Sequence, residues 1–108
     1  MTTISQKEAQ EIIKSGGVAI IDVRTPEEHS TSCLEGSVNI DFLDKSFPAK
    51  IESLNKNGKY LVYCGSGGRS AQAAKLMDQK GFSSIFNLEG GIMAWLEKGM
   101  PTIQKLTL

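Results

Sequence analysis

Two short stretches, Val18-Ala19-Ile20-Ile21 and Tyr60-Leu61-Val62-Tyr63, are apolar or aromatic at every position. A strand with one wet face alternates apolar and polar residues, so an unbroken run of four suits a strand covered on both faces. Gly16-Gly17 turns the chain before the first run and Asn57-Gly58 before the second. Between and around them lie segments with helical spacing. Ser5 with Glu8 is a capping-box start for a helix carrying Ala9, Ile12 and Ile13. Ala73, Ala74, Leu76 and Met77 mark another helix that ends at Gly81, and Ile92, Trp95 and Leu96 mark a last one stopped by Gly99 and Pro101. Val38-Asn39-Ile40 and Ser84-Ile85-Phe86-Asn87-Leu88 read as further strands. Pro26 opens a short helix with Glu27 and Glu28 at its positive end. Residues 41–54 read as loosely helical, with a break expected before Pro48. This alternation predicts an α/β fold: a mostly parallel central sheet of about five strands with helices on both faces. No linker, repeat or low-complexity tract interrupts it, so residues 1–108 are expected to form one domain.

Charge narrows the function classes. Twelve basic and twelve acidic residues leave no net field to draw the chain to nucleic acid or a membrane surface. Two cysteines, Cys33 and Cys64, are too few for a disulfide framework. With the single histidine, His29, they cannot supply four ligands of the structural zinc type, and no metal or cofactor is expected. The N-terminus has no basic-then-apolar leader, and no apolar run approaches the ~18 residues of a membrane helix. A cytoplasmic protein is the expectation, where thiols stay reduced and available.

The chemistry concentrates in one run, Cys64-Gly65-Ser66-Gly67-Gly68-Arg69-Ser70. It places a cysteine at the carboxyl end of a strand, where open α/β sheets bind ligands, and follows it with small residues and a helix start. Gly65, Gly67 and Gly68 let the backbone curl and aim its N–H groups inward. The helix start near Arg69-Ser70 adds free N–H groups and the positive end of its dipole, and Arg69 adds a permanent cation. A thiolate on Cys64 is stabilised by all three. Cysteine is often only a small buried hydrophobe, but the unbroken combination favours a functional loop. No Gly-Lys-Ser/Thr of a nucleotide loop and no G-x-G-x-x-G after a strand is present.

On these residues the chain resembles the rhodanese family over most of its length. Asp22-Val23-Arg24-Thr25-Pro26-Glu27-Glu28 resembles the first signature of the family, and Gly36-Ser37-Val38-Asn39-Ile40 its Pro-Gly-Ala-x-Asn-Ile segment. Tyr63 to Ser70 is similar to its active-site loop, and Leu88-Glu89-Gly90-Gly91-Ile92-Met93-Ala94-Trp95 to its last signature. The resemblance implies a catalytic Cys64 that accepts sulfane sulfur as a persulfide, a catalytic Arg69 beside it, and a loop of Gly65, Ser66, Gly67, Gly68 and Ser70 that binds the substrate and the persulfide. It implies a small sulfur donor such as thiosulfate, and cyanide, a thiol or a protein as acceptor. The chain departs from the family at Ser32, Cys33 and Glu35, and His29 stands where an aromatic residue is common. Its loop is uncharged before Arg69; the opening Cys-Gly-Ser-Gly resembles the mercaptopyruvate branch and the following Gly68-Arg69 does not.

The remaining polar residues carry competing readings. Asp22 and Arg24 could brace the loop or guide an anion, although an ion pair fixing the strand-to-helix turn is the plainer expectation for Asp22. Ser70 could turn its hydroxyl to the sulfur or cap the helix. His29 is expected to be a solvated surface histidine, Trp95 a core residue and Cys33 a packed thiol. Three function classes compete: a sulfurtransferase, a phosphatase or arsenate reductase built on the same cysteine-loop-arginine logic, and a non-catalytic binding module.

Overall fold

The structure, a computed structural model, describes residues 1–105. Five parallel strands form one sheet in the order β1-β5-β4-β2-β3: β1 Thr2–Ile4, β2 Val18–Asp22, β3 Val38–Asn39, β4 Lys59–Tyr63 and β5 Ser84–Leu88. The helices between them are α1 Gln6–Ser15, α2 Pro26–Thr31, α3 Phe47–Glu52, α4 Gly68–Gln79 and α5 Gly91–Glu97. The two apolar runs are adjacent interior strands, β4 at the centre of the sheet and β2 beside it. Strand alternation sends Ile20, Leu61 and Tyr63 to one face, with Ala9 of α1 and Ile92 and Trp95 of α5. Ile21, Val62 and Cys64 go to the other, with Phe47 and Ile51 of α3 and Ala73, Ala74 and Met77 of α4. Both faces are covered. Only the entry to β2 departs from the expectation, since Ala19 is exposed.

Several local expectations hold for the stated reasons. Ser5 and Glu8 form both halves of the capping box on α1. Gly16 and Gly17 take left-handed φ values of 78° and 75°, which a side chain would resist. Trp95 is buried, and its indole N–H donates to the Pro101 carbonyl at 2.8 Å. Cys33 is buried too, its backbone paired in both directions with Ile103. Two expectations need correction. The helix near Pro48 does not break before it: α3 starts at Phe47 with Pro48 in its first turn, where the missing N–H has no intrahelical partner to lose. His29 is not a solvated surface residue; it is buried, with Nδ1 2.9 Å from Asp22 Oδ2.

That contact belongs to a buried network at the carboxyl edge of the sheet. Strand register sets Asp22 beside Tyr63 on one side and Asn39 on the other. The Asp22 carboxylate accepts from Arg24 Nε and Nη2 at 2.9 and 2.7 Å, from the Arg24 N–H at 3.0 Å, and from the Tyr63 hydroxyl at 3.1 Å. Arg24 Nη2 also donates to the Ser32 carbonyl, and Tyr63 accepts from the Leu34 N–H at 3.0 Å. Burial pushes the Tyr63 phenol up to about 12, so it remains a donor. The network fastens β2, α2 and the loop before β3 to the residue that precedes Cys64. Asp22→Asn would leave the Arg24 charge buried without its counterion. A loss of about 3–5 kcal/mol in denaturant unfolding is expected, and an unchanged midpoint would contradict this account of the edge.

Candidate active site

Cys64 leaves β4 on the face opposite Tyr63, so the Asp22 network sets its backbone without touching its sulfur. The residue is 1% exposed and lies at the floor of the loop. Gly67 adopts φ 109° and acts as the N-cap of α4, which starts at Gly68, one residue before the expected Arg69-Ser70. This curl delivers the Gly67 N–H to Cys64 Sγ at 3.0 Å. Burial pushes the thiol pKa up, but the Ser70 hydroxyl and the N–H groups of Ser70, Gly67 and Ser66 together outweigh it and hold it below the ordinary value. Ser70 is buried, and its one hydroxyl proton has competing acceptors. Asn87 Oδ1 stands 2.6 Å away and the Gly67 carbonyl 3.2 Å away. The capping reading of Ser70 does not hold, since α4 has no side-chain cap and this hydroxyl donates to oxygen acceptors.

The loop's carbonyls are drawn away from the sulfur. The Ile92 N–H donates to the Cys64 carbonyl at 2.9 Å and the Met93 N–H to the Gly65 carbonyl at 3.0 Å, so the first turn of α5 grips the outside of the loop. That grip requires Gly91. A Cβ there would stand 2.4 Å from both carbonyl oxygens, at a left-handed φ of 59°. Gly90-Gly91 was visible in the sequence only as part of the last signature, and the close approach that demands a glycine was not.

The hydrogen bonds of Arg69 go to a carboxylate, and its charge acts on Cys64 through space. Its Nη1 and Nη2 donate to Glu28 Oε1 and Oε2 at 2.9 and 3.0 Å. Glu28 is also the N3 residue of the capping box that Thr25 forms on α2. Arg69's hydrogen bonds hold the Glu28 carboxyl well below the usual carboxylate range, at about 2. Thr25-x-x-Glu28 was readable as a capping box; the pairing with a residue 41 positions away was not. Asp22 and Arg24 form the expected ion pair. Arg24 lies 5.6 Å over the Tyr63 ring, which places it in the network that braces Tyr63. Two surface hollows, about 200 and 300 Å³, are lined around Trp95 and Lys59 and include no residue of the loop. Among the described residues no group of three or more histidines, cysteines or acids is placed to hold a metal ion.

Three variants probe this geometry. With the wild type, the rate of Cys64 alkylation against pH is expected to reach half its maximum below the ~8.5 of a free thiol. Ser70→Ala is expected to move the profile up by more than Arg69→Ala does, because Ser70 lowers the thiol pKa by hydrogen bonding while Arg69 acts only through a charge it shares with Glu28. Equal profiles in wild type and Ser70→Ala would contradict this. Gly91→Ala is expected to displace the loop and erase the low-pH shift while the far-ultraviolet circular dichroism stays native.

Comparison with known proteins places this loop. Residues 5–98 match the family model of the rhodanese-like domain. A sulfurtransferase of Allochromatium vinosum is 29% identical over 99 residues, which is 92% of this chain and 91% of that protein. Thiosulfate sulfurtransferase 16, chloroplastic, of Arabidopsis thaliana is 29% identical over 111 residues, covering 94% of this chain and 92% of its own. The crystal structure of a rhodanese-related protein from Thermoplasma volcanium shares the fold with a TM-score of 0.87 at 32% identity, over 97% of this chain and 100% of that one. The family match takes in the Cys64 loop and the α5 turn that grips it, and the chain therefore belongs to the rhodanese-like domain family of sulfurtransferases.

Proposed function

We propose that the chain, acting as a single domain, transfers sulfane sulfur from a small donor such as thiosulfate to a thiophilic acceptor through a persulfide on Cys64. The observation that carries this reading is the Gly67 N–H aimed at Cys64 Sγ from 3.0 Å inside a loop whose Cys64, Gly65 and Gly67 carbonyls are bonded elsewhere. The Cys64 thiolate attacks the outer sulfur of thiosulfate. A new S–S bond forms, the old one breaks, and sulfite leaves with the electron pair. An acceptor then attacks the outer sulfur of the persulfide; with cyanide the product is thiocyanate, and the Cys64 thiolate is restored. This is nucleophilic covalent catalysis with no step that needs a metal or organic cofactor. The N–H groups of Ser66, Gly67 and Ser70 hold the negative sulfur in both halves of the cycle. Gly65 and Gly68 allow the curl, Arg69 fixes the loop to Glu28, and Asp22 with Arg24 sets the backbone before Cys64. Acceptors in this reading are a thiol, cyanide or a protein. Neither nucleic acid nor membrane takes part, and the protein works in the cytoplasm. Among the described residues no helix is long and apolar enough to cross a membrane.

Loop size favours sulfur over phosphate. Four residues separate Cys64 from Arg69, and the N–H groups around the sulfur converge on one atom. A phosphoryl group presents three peripheral oxygens and needs a wider ring of donors. Purified protein is therefore expected to form thiocyanate from thiosulfate and cyanide and to leave aryl phosphates intact. Cys33→Ser should keep most of this activity, since Cys33 is packed away with its backbone paired, and Cys64→Ser should fall to the uncatalysed background. Equal loss in both variants would mean a two-thiol mechanism, and efficient aryl phosphate hydrolysis without sulfur transfer would replace the reading with a phosphatase.

A further inference from the structure

Both arginines that the loop and its supporting network use are already matched to carboxylates. Arg24 holds Asp22 in the buried edge. Arg69 forks onto Glu28, and its guanidinium lies over the loop: a Cβ built on Gly65 would stand 3.6 Å from Arg69 Nη2. Glu28 thus sits beside the rim of the loop, and Gly65, Ser66, Gly67 and Gly68 carry no charge of their own. Held at about 2, the Glu28 carboxyl remains an anion throughout the working pH range. The side chains of Arg69 and Glu28 are 29% and 38% exposed, so an approaching donor meets both charges through partly screened water.

Resting on the sulfurtransferase reading above, we propose that Glu28 is a specificity-determining residue: by pairing Arg69 it removes the net positive charge of the loop mouth and favours singly charged sulfane-sulfur donors, organic thiosulfonates and persulfides, over the thiosulfate dianion. The reasoning is Coulombic. An anion beside the entry repels a donor in proportion to the donor's charge. A site with a free arginine draws the dianion; a site with a neutralised pair leaves only the N–H groups and the helix end, which serve one negative sulfur. Methanethiosulfonate offers the same outer sulfur as thiosulfate with one charge fewer. The Cys64 thiolate takes that sulfur, the S–S bond breaks, and methanesulfinate leaves with the electron pair.

Glu28→Gln removes the charge and keeps both the side-chain length and a residue suited to the N3 position of the capping box. Glu28→Asp keeps the charge and shortens the fork. In a double displacement, kcat/KM for the donor reports its own half-reaction, so each donor's ratio of variant to wild type cancels its intrinsic reactivity. In Glu28→Gln the thiosulfate ratio is expected to be roughly the square of the methanethiosulfonate ratio, for example about nine-fold against about three-fold, because the interaction scales with charge. The difference is expected to shrink at high salt, and Glu28→Asp should show no such dependence on donor charge. Equal ratios for the two donors in Glu28→Gln, or the same pattern in Glu28→Asp, would overturn the proposal and leave Glu28 a positioning residue in a working sulfurtransferase. If neither donor leaves sulfur on Cys64 in any of the three proteins, the sulfurtransferase reading falls and this inference falls with it.

Discussion

The Asp22 carboxylate is the fastening on which the site depends. It is fully buried and would be costly there alone, yet it accepts from Arg24 and Tyr63 and contacts His29. Those partners come from the turn after β2, from α2 and from the end of β4. The carboxylate therefore ties three separate segments to one point at the carboxyl edge of the sheet. Tyr63 is the consequence that matters most. Its side chain is locked on one face, so the next residue, Cys64, leaves the strand on the other face at a fixed place. A buried ion pair adds little net stability compared with an apolar substitute. Its value here is positional, because it sets where a backbone ends and a loop begins.

From that fixed point, backbone groups do the electrostatic work. The first turn of α5 takes the carbonyls of Cys64 and Gly65, which leaves N–H groups of the loop free to face the sulfur. The same partition of donors and acceptors explains the glycines. Gly67 supplies the left-handed turn, and Gly91 supplies the absence of a side chain where two carbonyls approach. Arg69 plays a different part from the one its place in the loop suggests. Its guanidinium is paired with Glu28, so it braces α4 against α2 as well as facing the loop. Within the sulfurtransferase reading, the anionic sulfur is held by short, neutral dipoles, which stabilise charge without drawing in every passing anion.

The central sheet was legible because its strands announce themselves by composition. Ser84 to Leu88 is recovered with its bounds, and the runs at 18–21 and 60–63 are paired interior strands. The edge strand Thr2–Ile4 gave no signal, since it has three residues and exposes Thr2 and Thr3. The loop from Cys64 to Ser70 was legible as a unit because its curl, cysteine and helix start are contiguous. What escaped was everything set by tertiary approach. His29 looked like a surface residue because nothing local shows that Asp22 turns toward it. Glu28 looked like a helix-end charge because its partner Arg69 arrives from a distant loop. Pro48 was taken for a break, although proline at a first helical turn is equally at home.

The most direct measurement of the central claim is the intact mass of the reduced protein after exposure to thiosulfate and removal of the excess. A gain of one sulfur atom is expected, localised to the peptide that contains Cys64, with its loss and stoichiometric thiocyanate when cyanide is added. An unchanged mass with thiosulfate and with methanethiosulfonate, or a sulfur carried on Cys33 instead, would contradict it.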